Sequence, residues 1–533
     1  MKPPIKIATF LILYELTIFV MSEADKGNEF FTAASDMEIL LKVEKKLADK
    51  FLKYFEAEEM RLNKLERILT HVEKDLPASI SEFENEKWVS HVTNAHGSLD
   101  RFTKFWINFD NYTKTRTTKD NLLSLFADLV KLKPAYPTNE DLLGALAALT
   151  RLQQTYAISP SNFVDGIRQP SHKLTLEEIF EIGYLCLQTH DYIHGHAWLK
   201  EALYRFPVDA KSVGFVEKAM LLEHLAWCEY YLGKLEDAIK HTRAILKFDP
   251  TNNNALINIE LYEREFELSK SDPTIRKNFT QPKHHWENHH NKLCQGREKM
   301  AQKDINRLYC KYVSPRAHYI LKPFKMEILH HDPYIELFYE LITNDEAKHI
   351  IKFAKPLLRR AFVHDMVTGD LIYADYRVSK NTWISEDMDV VAAKIIRRVG
   401  EVTGLNMRYA EHLQVANYGI AGQYEPHFDH STGTRPKHFD RWGGNRIATM
   451  LLYLSDVDWG GRTVFTNTAP GVGTDPIKGA GVFWYNLLRN GKSNPKTQHA
   501  GCPVVLGQKW VANLWIHEHG QEFNRPCTLN PNE

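Results

Sequence analysis

Three His-x-Asp pairs carry side chains that could hold a metal ion: His330/Asp332, His427/Asp429 and His438/Asp440. Two histidines and one carboxylate on one face of an iron(II) ion leave three coordination positions open for substrate and oxygen. Because residues two apart on a strand share a face, a His-x-Asp at a strand end can supply two of these ligands. The third ligand must then come from a distant strand.

The sequence around each pair separates the three candidates. His330 precedes the β-rich part of the chain, and His438 lies in the loop-like segment "TGTRPKHFDRWGGNR". Only His427 directly follows a strand-like segment, "QVANYGIAGQYEPHFD". Context therefore favours His427 and Asp429 as the metal-binding pair.

A candidate third ligand, His499, lies beside a strand start in "TQHAGCPVVLGQKW", and Lys509 opens the later strand "KWVANLWIH". A histidine alone is more often structural than metal-binding. A lysine that points into a β-barrel is costly unless it meets an anion, such as a carboxylate of a co-substrate. Together with His427 and Asp429, these two residues form a specific constellation.

Short β-rich runs bounded by Gly, Asp, Asn or Pro position these residues from about Pro333 onward. They are "EHLQVANYG", "RIATMLLYL", "RTVF", "GVFWYN", "PVVLG" and "KWVANLWIH". Their density predicts a sandwich or jelly roll. The helical segment "NDEAKHIIKFAKPLL" precedes them.

The N-terminal part of the chain has helical periodicity. Apolar residues over 36–72 recur at steps of three and four, which predicts an amphipathic helix. Packing within its own domain and dimerisation both explain this helix. A second helix, "TNEDLLGALAALTRLQQTY", is predicted with Thr138 or Asn139 as its cap.

Residues 174–262 contain two similar helix pairs. When Gly195 is aligned with Ala238, Pro207 falls opposite Pro250, a pattern typical of tetratricopeptide repeats. The offset is longer than the usual repeat of about 34 residues, so an insertion is expected between the units. Four aromatic residues could line a peptide groove or serve helix packing: Tyr192, Trp227, Tyr230 and Tyr231.

The 533 residues predict two to four domains, and 43% apolar with 25% charged residues indicates a folded protein. A formal net charge of zero gives no electrostatic reason to expect binding to nucleic acid or to an anionic membrane. Lys2 and Lys6 precede an apolar run, which predicts a secretory signal over residues 1–22. A buried N-terminal helix or a membrane anchor is the alternative. No later run approaches membrane-spanning length.

The six cysteines give information on the cellular compartment, because disulfides form in an oxidising one. Cys186 and Cys228 lie in helical patterns and are expected to be buried thiols. In an oxidising compartment the other four could form two local pairs, Cys294–Cys310 and Cys502–Cys527. Asn111 and Asn278 open glycosylation sequons, which suit a secreted chain. The histidine-rich "KHHWENHH" lacks suitably spaced acidic or thiolate partners and is not expected to bind a metal.

The segment from Tyr418 through "EPHFD", together with "GNRIATMLLYLSDV", "GGRTVF", "GVFWYN" and "HAGCPVVLGQKWVANLWIHEHGQEF", resembles the catalytic domain of collagen prolyl 4-hydroxylase alpha subunits. The resemblance extends over the whole chain. It implies a multidomain protein: an all-α dimerisation region (23–160), a tetratricopeptide-like peptide-binding domain (170–265), a linker (266–330) and a catalytic domain (331–533). The catalytic domain would be a double-stranded β-helix, or jelly roll, with flanking helices.

By this resemblance, His427, Asp429 and His499 match iron ligands, and Lys509 matches the residue that binds the distal carboxylate of 2-oxoglutarate. The resemblance also implies further assignments. Tyr418 and Thr463 match co-substrate pocket positions, Tyr192 and Tyr230 match groove aromatics, and Cys294–Cys310 and Cys502–Cys527 match two disulfides. Thr466 and Ile193 depart from the family pattern, which affects expected loop shape and peptide preference rather than the ligands.

The implied reaction hydroxylates carbon 4 of proline in X-Pro-Gly repeats of procollagen-like chains. It consumes O2 and 2-oxoglutarate, releases succinate and CO2, and uses L-ascorbate to maintain Fe(II). The implied assembly is an α2β2 tetramer with protein disulfide isomerase in the endoplasmic reticulum lumen. Because the chain ends in "TLNPNE" rather than a Lys-Asp-Glu-Leu-type signal, retention through a partner is expected. A catalytically silent peptide-binding subunit and a lysyl hydroxylase are the alternatives, whereas the leader disfavours a cytosolic enzyme.

Overall fold

The structure, a computed structural model, describes residues 29–74, 92–106, 127, 137–167, 173–208, 210–271, 287–298, 300–364, 371–373, 377–432, 439 and 443–530. The predicted signal, both sequons and the His438/Asp440 pair lie outside these ranges. The contacts divide the chain into a smaller unit, Asp36–Pro137, and a larger unit that joins Met1–Ser35 to Thr138–Glu533. Within the ranges described, no helix has the length and apolarity needed to span a membrane.

The smaller unit contains most of the long helix α1, Ala34–Lys74, so the predicted helix over 36–72 is confirmed. Val43 on the predicted apolar seam is buried, whereas Leu62 and Leu69 are exposed. A shorter helix α2, Val92–Asp100, continues into a π-helical turn, Arg101–Trp106. Self-association through this unit stays a prediction.

Helices form the first part of the larger unit. They are α3 Asn139–Tyr156, α4 Pro160–Val164, α5 Leu176–Gln188, α6 Tyr192–Arg205, α7 Lys218–Tyr231, α8 Leu235–Phe248 and α9 Asn253–Ser271. A capping box of Thr175 and Glu178 begins α5, and the Asp191 side chain caps α6. A two-stranded ribbon, β1 Ser212–Val213 with β2 Val216–Glu217, forms part of the expected insertion between the repeats.

Small residues allow the helices of each repeat to cross closely. A Cβ atom added to Gly195 would lie 3.3 Å from the Gly183 carbonyl oxygen and 3.2 Å from the Cys228 sulfur. Cys186 and Cys228 are fully buried in this core, as expected from the sequence. The tetratricopeptide-like pairing of α5 with α6 and α7 with α8 is therefore confirmed.

The rest of the larger unit is rich in strands. They are β3 Cys310–Val313, β4 Phe324–His331, β5 Tyr334–Tyr339, β6 Arg359–Arg360, β7 Phe362–His364, β8 Leu371–Tyr373, β9 Ser379–Ile384, β10 Leu413–Tyr418, β11 Tyr424–His427, β12 Arg446–Tyr453, β13 Trp459–Gly460, β14 Thr463–Phe465, β15 Val472–Thr474, β16 Gly481–Tyr485, β17 His499–Gly501, β18 Val504–Leu506 and β19 Trp510–His517. Each β-rich run predicted from the sequence contains one of these strands. Helices α10 Glu287–Cys294, α11 Gln302–Ile305, α12 Asn344–Ala354 and α13 Val390–Thr403 flank them.

Two sheets form the jelly roll. The larger sheet has the order β3-β4-β5-β16-β12-β19-β10-β9-β6, and the smaller has the order β11-β17-β14-β15. One face of the larger sheet packs with α12 and α13 around residues such as Ile350, Ile395 and Leu514. On the opposite side, Phe465 of the smaller sheet packs with Val511 of the larger. The predicted fold class is confirmed.

Part of the expected linker over 266–330 is instead regular structure. Helix α10 and strands β3 and β4 lie within it. Strand β3 is an edge strand whose residues are mostly exposed, so it lacks the alternation of apolar and polar residues that marks a strand in sequence.

The disulfide differs from both expected pairs. Cys294 of α10 bonds to Cys502, with Cα atoms 5.6 Å apart, whereas Cys310 and Cys527 are free and exposed. Helix α10 packs beside β14 and β15, and this buries Cys294 in the cluster that holds Cys502. The tertiary contact therefore brings together two cysteines that are 208 residues apart.

Candidate metal and co-substrate site

Antiparallel pairing of β11 with β17 brings His427 opposite His499. Their ring centroids are 4.4 Å apart. Asp429 follows β11 directly, and its Oδ1 and Oδ2 lie 3.7 Å from His427 Nε2 and 3.5 Å from His499 Nε2. The structure thus brings all three predicted ligands together, with their ligand atoms within 4.8 Å of one another.

Hydrogen bonds to the backbone orient both imidazoles. The Nδ1 of His427 donates to the Glu425 carbonyl oxygen at 2.7 Å, and that of His499 donates to the Thr497 carbonyl oxygen at 3.0 Å. With the proton on Nδ1, each Nε2 presents a lone pair towards Asp429. This tautomer leaves each Nε2 free to bind a metal ion.

The electrostatics favour the same protonation states. Burial, reinforced by the nearby His499, lowers the pKa of His427 to about 3. Burial opposes ionisation of Asp429, but His499, His427 and Arg446 outweigh it and lower the pKa of Asp429 to about 2. At neutral pH His427 is therefore a neutral imidazole and Asp429 a carboxylate, the metal-binding forms of these two side chains.

A buried chain of hydrogen bonds supports the Asp429 carboxylate. Thr449 Oγ1 donates to Asp429 Oδ2 at 2.9 Å, and Asn486 Nδ2 donates to Thr449 Oγ1 at 2.9 Å. Trp484 Nε1 donates to Asn486 Oδ1 at 2.8 Å. Because Asn486 and Thr449 are fully buried, the orientation of the carboxylate is set by protein groups rather than by water.

Lys509 lies in the jelly-roll interior, with only 1% of its surface exposed. Its Nζ lies 4.7 Å from the centroid of the Tyr418 ring. Burial lowers the pKa of Lys509 to about 7, and no carboxylate among the described residues opposes that effect. The side chain therefore lacks the anion that would make its burial favourable.

The space beside Lys509 is kept open by Gly501. A Cβ atom at this position would lie 3.0 Å from the Tyr418 hydroxyl and 3.6 Å from Lys509 Nζ. Burial raises the pKa of Tyr418 to about 12, so its hydroxyl stays protonated and can donate. Thr463, opposite Gly501 in the sheet, accepts a hydrogen bond from Tyr453 at 2.7 Å. The side chain of an alanine at position 501 would occupy this space between Tyr418 and Lys509.

The other candidate metal sites lack a comparable arrangement. His330 Nδ1 donates to the Pro333 carbonyl oxygen at 3.1 Å, and Asp332 is an exposed partner of Lys496 at 2.5 Å. His290 of the histidine-rich segment lies near Cys294 and Cys502, but the disulfide removes both thiolates. Among the residues that the structure describes, His427, Asp429 and His499 alone combine proximity with free ligand atoms.

Family models match three parts of the chain. Residues 33–170 match the prolyl 4-hydroxylase alpha-subunit N-terminal region, and 176–268 match the prolyl 4-hydroxylase peptide-substrate-binding domain. Residues 413–517 match the 2OG-Fe(II) oxygenase superfamily.

Relatives match over nearly the full length. Prolyl 4-hydroxylase subunit alpha-1 of Caenorhabditis elegans is 36% identical, covering 95% of this chain and 91% of the relative. The Homo sapiens subunit alpha-1 is 37% identical, with coverage of 98% and 99%. The chain belongs to the prolyl 4-hydroxylase alpha-subunit family. It is an enzyme of the Fe(II)- and 2-oxoglutarate-dependent dioxygenase class.

The residues present fit the two groups that this family uses. The His427, Asp429 and His499 donor set suits Fe(II), and three ligands leave positions for other molecules. The unpaired buried ammonium of Lys509 and the cradle at Gly501 suit a carboxylate of 2-oxoglutarate. The individual roles of these residues are proposals that we develop below.

Several residues around the site escaped the sequence analysis. Tyr424 stacks on His427 with ring centroids 3.5 Å apart, and Arg377 lies 4.7 Å from the centroid of the Tyr424 ring. Arg446 donates to the Asp429 carbonyl oxygen at 3.1 Å and forms an ion pair with the buried Glu411. Tyr424 lies three positions before His427, and a register irregularity in β11 brings their rings together. For Arg377, no local sequence signal exists.

The predicted groove aromatics lie on α6 and α7 of the helical repeats. Tyr192 stacks on Tyr231, with ring centroids 4.3 Å apart, and Tyr230 stacks on Tyr262 at 4.9 Å. Trp227 is 42% exposed and Tyr231 is 36% exposed. These rings offer flat apolar faces to solvent, although Tyr230 is also partly committed to packing.

Proposed function

We propose that this chain hydroxylates carbon 4 of proline in X-Pro-Gly repeats of collagen-like proteins, with O2 and 2-oxoglutarate as co-substrates and succinate and CO2 as co-products. The observation that carries this proposal is the closeness of the His427–Asp429–His499 cluster to Lys509. Asp429, His499 and Lys509 are buried, and Lys509 has no carboxylate partner among the described residues. The cluster suits a metal ion, and Lys509 suits a dicarboxylate bound beside it.

The chain's own residues would hold and orient the reactants. His427, Asp429 and His499 would bind Fe(II), which activates O2 and 2-oxoglutarate when bound. Lys509 would pair with the distal carboxylate of the co-substrate, and that anion would favour the charged ammonium. The Tyr418 hydroxyl faces the space beside Gly501, and Thr463 pairs with Gly501 in the sheet. Both hydroxyls would donate to the co-substrate. L-Ascorbate would keep the iron reduced.

The helical repeats would bind the substrate chain. A proline-rich segment adopts the polyproline II conformation, and exposed aromatic faces such as those of Tyr192, Trp227 and Tyr231 suit it. Tyr230 would contribute from its partly buried position beside them. Because a long substrate carries many repeats, a second weak site raises the effective concentration of prolines near the catalytic pocket.

The proposed setting is the endoplasmic reticulum lumen. The leader and the sequons at Asn111 and Asn278 support it. We propose protein disulfide isomerase as the β subunit of an α2β2 tetramer, with self-association through residues 23–160. The relatives are named as subunits, which supports an assembly of this kind. A nucleic-acid partner is not proposed.

The decisive experiment compares two His-x-Asp pairs in the chain co-expressed with a disulfide isomerase. Wild type, Asp429→Ala and the matched control Asp332→Ala are assayed for succinate and 4-hydroxyproline on a Pro-Pro-Gly repeat peptide. We expect loss of both products in Asp429→Ala and near-normal yields in Asp332→Ala, because only Asp429 belongs to the buried cluster. Full activity in Asp429→Ala would refute the assignment.

Product analysis distinguishes the alternatives. The same assay on matched proline- and lysine-containing collagen peptides identifies the hydroxylated side chain. Hydroxylysine in place of 4-hydroxyproline would make the chain a lysyl hydroxylase. A wild type that binds the peptide and yields neither product, with iron, ascorbate and 2-oxoglutarate supplied, would be a silent peptide-binding subunit.

A further inference from the structure

The N-terminal segment Glu29–Ser35 packs within the oxygenase part of the larger unit, far from its position in the sequence. Ser35 bonds to Asn417, 382 residues away, in a buried contact. The segment includes a short 3-10 turn, Phe30–Thr32. The smaller unit begins at Asp36, the residue that follows the segment. None of the catalytic or peptide-binding assignments gives this segment a role.

Asp141 anchors the start of the segment to α3. The backbone N–H groups of Phe30 and Phe31 both donate to its Oδ1 oxygen. Its other oxygen accepts from the Thr138 N–H at 2.9 Å and so completes the cap of α3. The Phe31 ring lies directly over Gly144, where a Cβ atom would overlap it. One aspartate thus restrains both the segment and the helix.

The end of the segment lies against the loop that follows β10. The Ile420 N–H donates to the Phe31 carbonyl oxygen at 2.9 Å. Gly419 has no space for a side chain, because a Cβ atom would overlap the backbone of Phe31 and Thr32. The Ser35 N–H donates to Asn417 Oδ1 at 3.0 Å. These contacts flank Tyr418 on both sides in sequence.

Asn417 connects this contact to the pocket. Its side chain is fully buried, and its Nδ2 donates to the Lys509 carbonyl oxygen at 3.3 Å. The Tyr418 N–H donates to the same carbonyl oxygen at 3.0 Å. Through one amide side chain, the segment is therefore connected to Tyr418, the last residue of β10, and to Lys509, which immediately precedes β19.

We infer that Glu29–Ser35 is a positioning element of the 2-oxoglutarate pocket and acts through Asn417, an inference that rests on the proposed role of Tyr418 and Lys509. Without the segment, the Ile420 N–H in the loop after β10 loses its backbone acceptor. The conformational entropy of Tyr418 would then be lost when the co-substrate binds, and this loss would lower the affinity for the co-substrate. The iron ligands lie on β17 and on or just after β11. The hydrogen bonds of the segment described above go to Asp141, Asn417 and Ile420 instead. Its loss therefore weakens co-substrate binding and leaves metal binding intact.

The test uses the full chain with its disulfide isomerase partner and four point variants. Asp141→Ala releases the segment, with Glu140→Ala, an exposed acid in the same helical turn, as its control. Ser35→Pro removes the N–H that reaches Asn417, at a first-turn helix position where proline is tolerated. Ser35→Ala, its control, keeps the N–H and loses only a buried hydroxyl without a partner among the described residues. A chain without residues 29–35 removes every contact at once.

Calorimetry measures 2-oxoglutarate binding with Mn(II) in place of iron, and steady-state assays give KM for the co-substrate and for the peptide. Asp141→Ala and Ser35→Pro are expected to raise the 2-oxoglutarate dissociation constant about 5- to 10-fold, as loss of a hydrogen bond or two predicts. Mn(II) affinity and KM for the peptide stay constant, and the controls match wild type. An unchanged dissociation constant in both variants and in the deletion overturns the inference. A wild type that binds no 2-oxoglutarate overturns the proposed function instead.

Discussion

The His427/Asp429 and His330/Asp332 pairs share a sequence pattern but have different surroundings. Each has a lysine associated with it. Lys509 is buried near the first pair and has no carboxylate partner among the described residues, whereas Lys496 forms an exposed ion pair with Asp332. The first arrangement leaves charge and lone pairs available for ligands, and the second satisfies them within the protein. Burial and unmet bonding capacity, rather than residue type, distinguish a candidate site from an ordinary surface.

The largest expected effect separates the two lysines. Lys509→Met removes a buried partner for an anion, so 2-oxoglutarate affinity should fall about 100-fold, as for truncation of one member of a buried charge pair. The same change removes an unpaired buried charge, so the ligand-free chain should gain roughly 1–4 kcal/mol of unfolding free energy. Calorimetry and chemical denaturation measure the two quantities.

Lys496→Met is the matched control for that substitution. Its ion pair with Asp332 is exposed, so the free energy of unfolding should change by less than about 1 kcal/mol. Its 2-oxoglutarate affinity should equal that of wild type. Equal affinities in Lys509→Met and Lys496→Met would show that the buried lysine does not bind the co-substrate.

An intermediate effect is expected from the hydrogen bond that supports Asp429. Thr449→Val keeps the side-chain shape and removes the donor to Asp429 Oδ2, so metal affinity should fall about 10- to 100-fold. Competition between the protein and a chelator for Co(II) measures this without turnover. Thr466→Val, which loses a bond to Gln498 outside the metal cluster, should leave Co(II) affinity unchanged. A similar loss in both variants would point to general destabilisation.

The smallest expected effect is a pH dependence of stability. Burial lowers the pKa of Lys509 to about 7 in the folded, ligand-free chain, so between this value and about 10.4 the unfolded chain binds more protons. The cost of burying the lysine is therefore largest at and below pH 7 and is relieved as the pH rises towards about 10.4. The difference in unfolding free energy between Lys509→Met and wild type should therefore shrink as the pH rises from 7 to 9. The decrease should be at most about 1.4 kcal/mol per pH unit. A constant difference between the two chains would contradict this assignment.

Local sequence patterns predicted much of the architecture because they report local physics. The period of three to four residues over 36–72 reflects a helix, and β-rich runs such as "RIATMLLYL" reflect buried strands. The alignment of Gly195 with Ala238 and of Pro207 with Pro250 predicted the paired helices of the repeats. Strand β3 was missed because its polar, exposed residues carry no such periodicity. Helix α10 was missed because it is only eight residues long and mostly polar.

Long-range contacts had no local signal. The expected pairs Cys294–Cys310 and Cys502–Cys527 followed proximity in sequence and family resemblance, whereas the packing of α10 on the smaller sheet joins Cys294 to Cys502. Arg377 was missed because only the fold brings it over the Tyr424 ring. The segment Glu29–Ser35 was missed for the same reason.

The sequence by itself determined which residues could bind a metal and a dicarboxylate, because His427, Asp429, His499 and Lys509 each follow or open a recognisable strand. Tertiary structure decided which of these side chains meet and in what state. The register of β11 on β17 brings His427 opposite His499, and enclosure of Lys509 lowers its pKa. Proximity, burial and protonation depend on residues that are far apart in the sequence, so they exist only once the chain has folded.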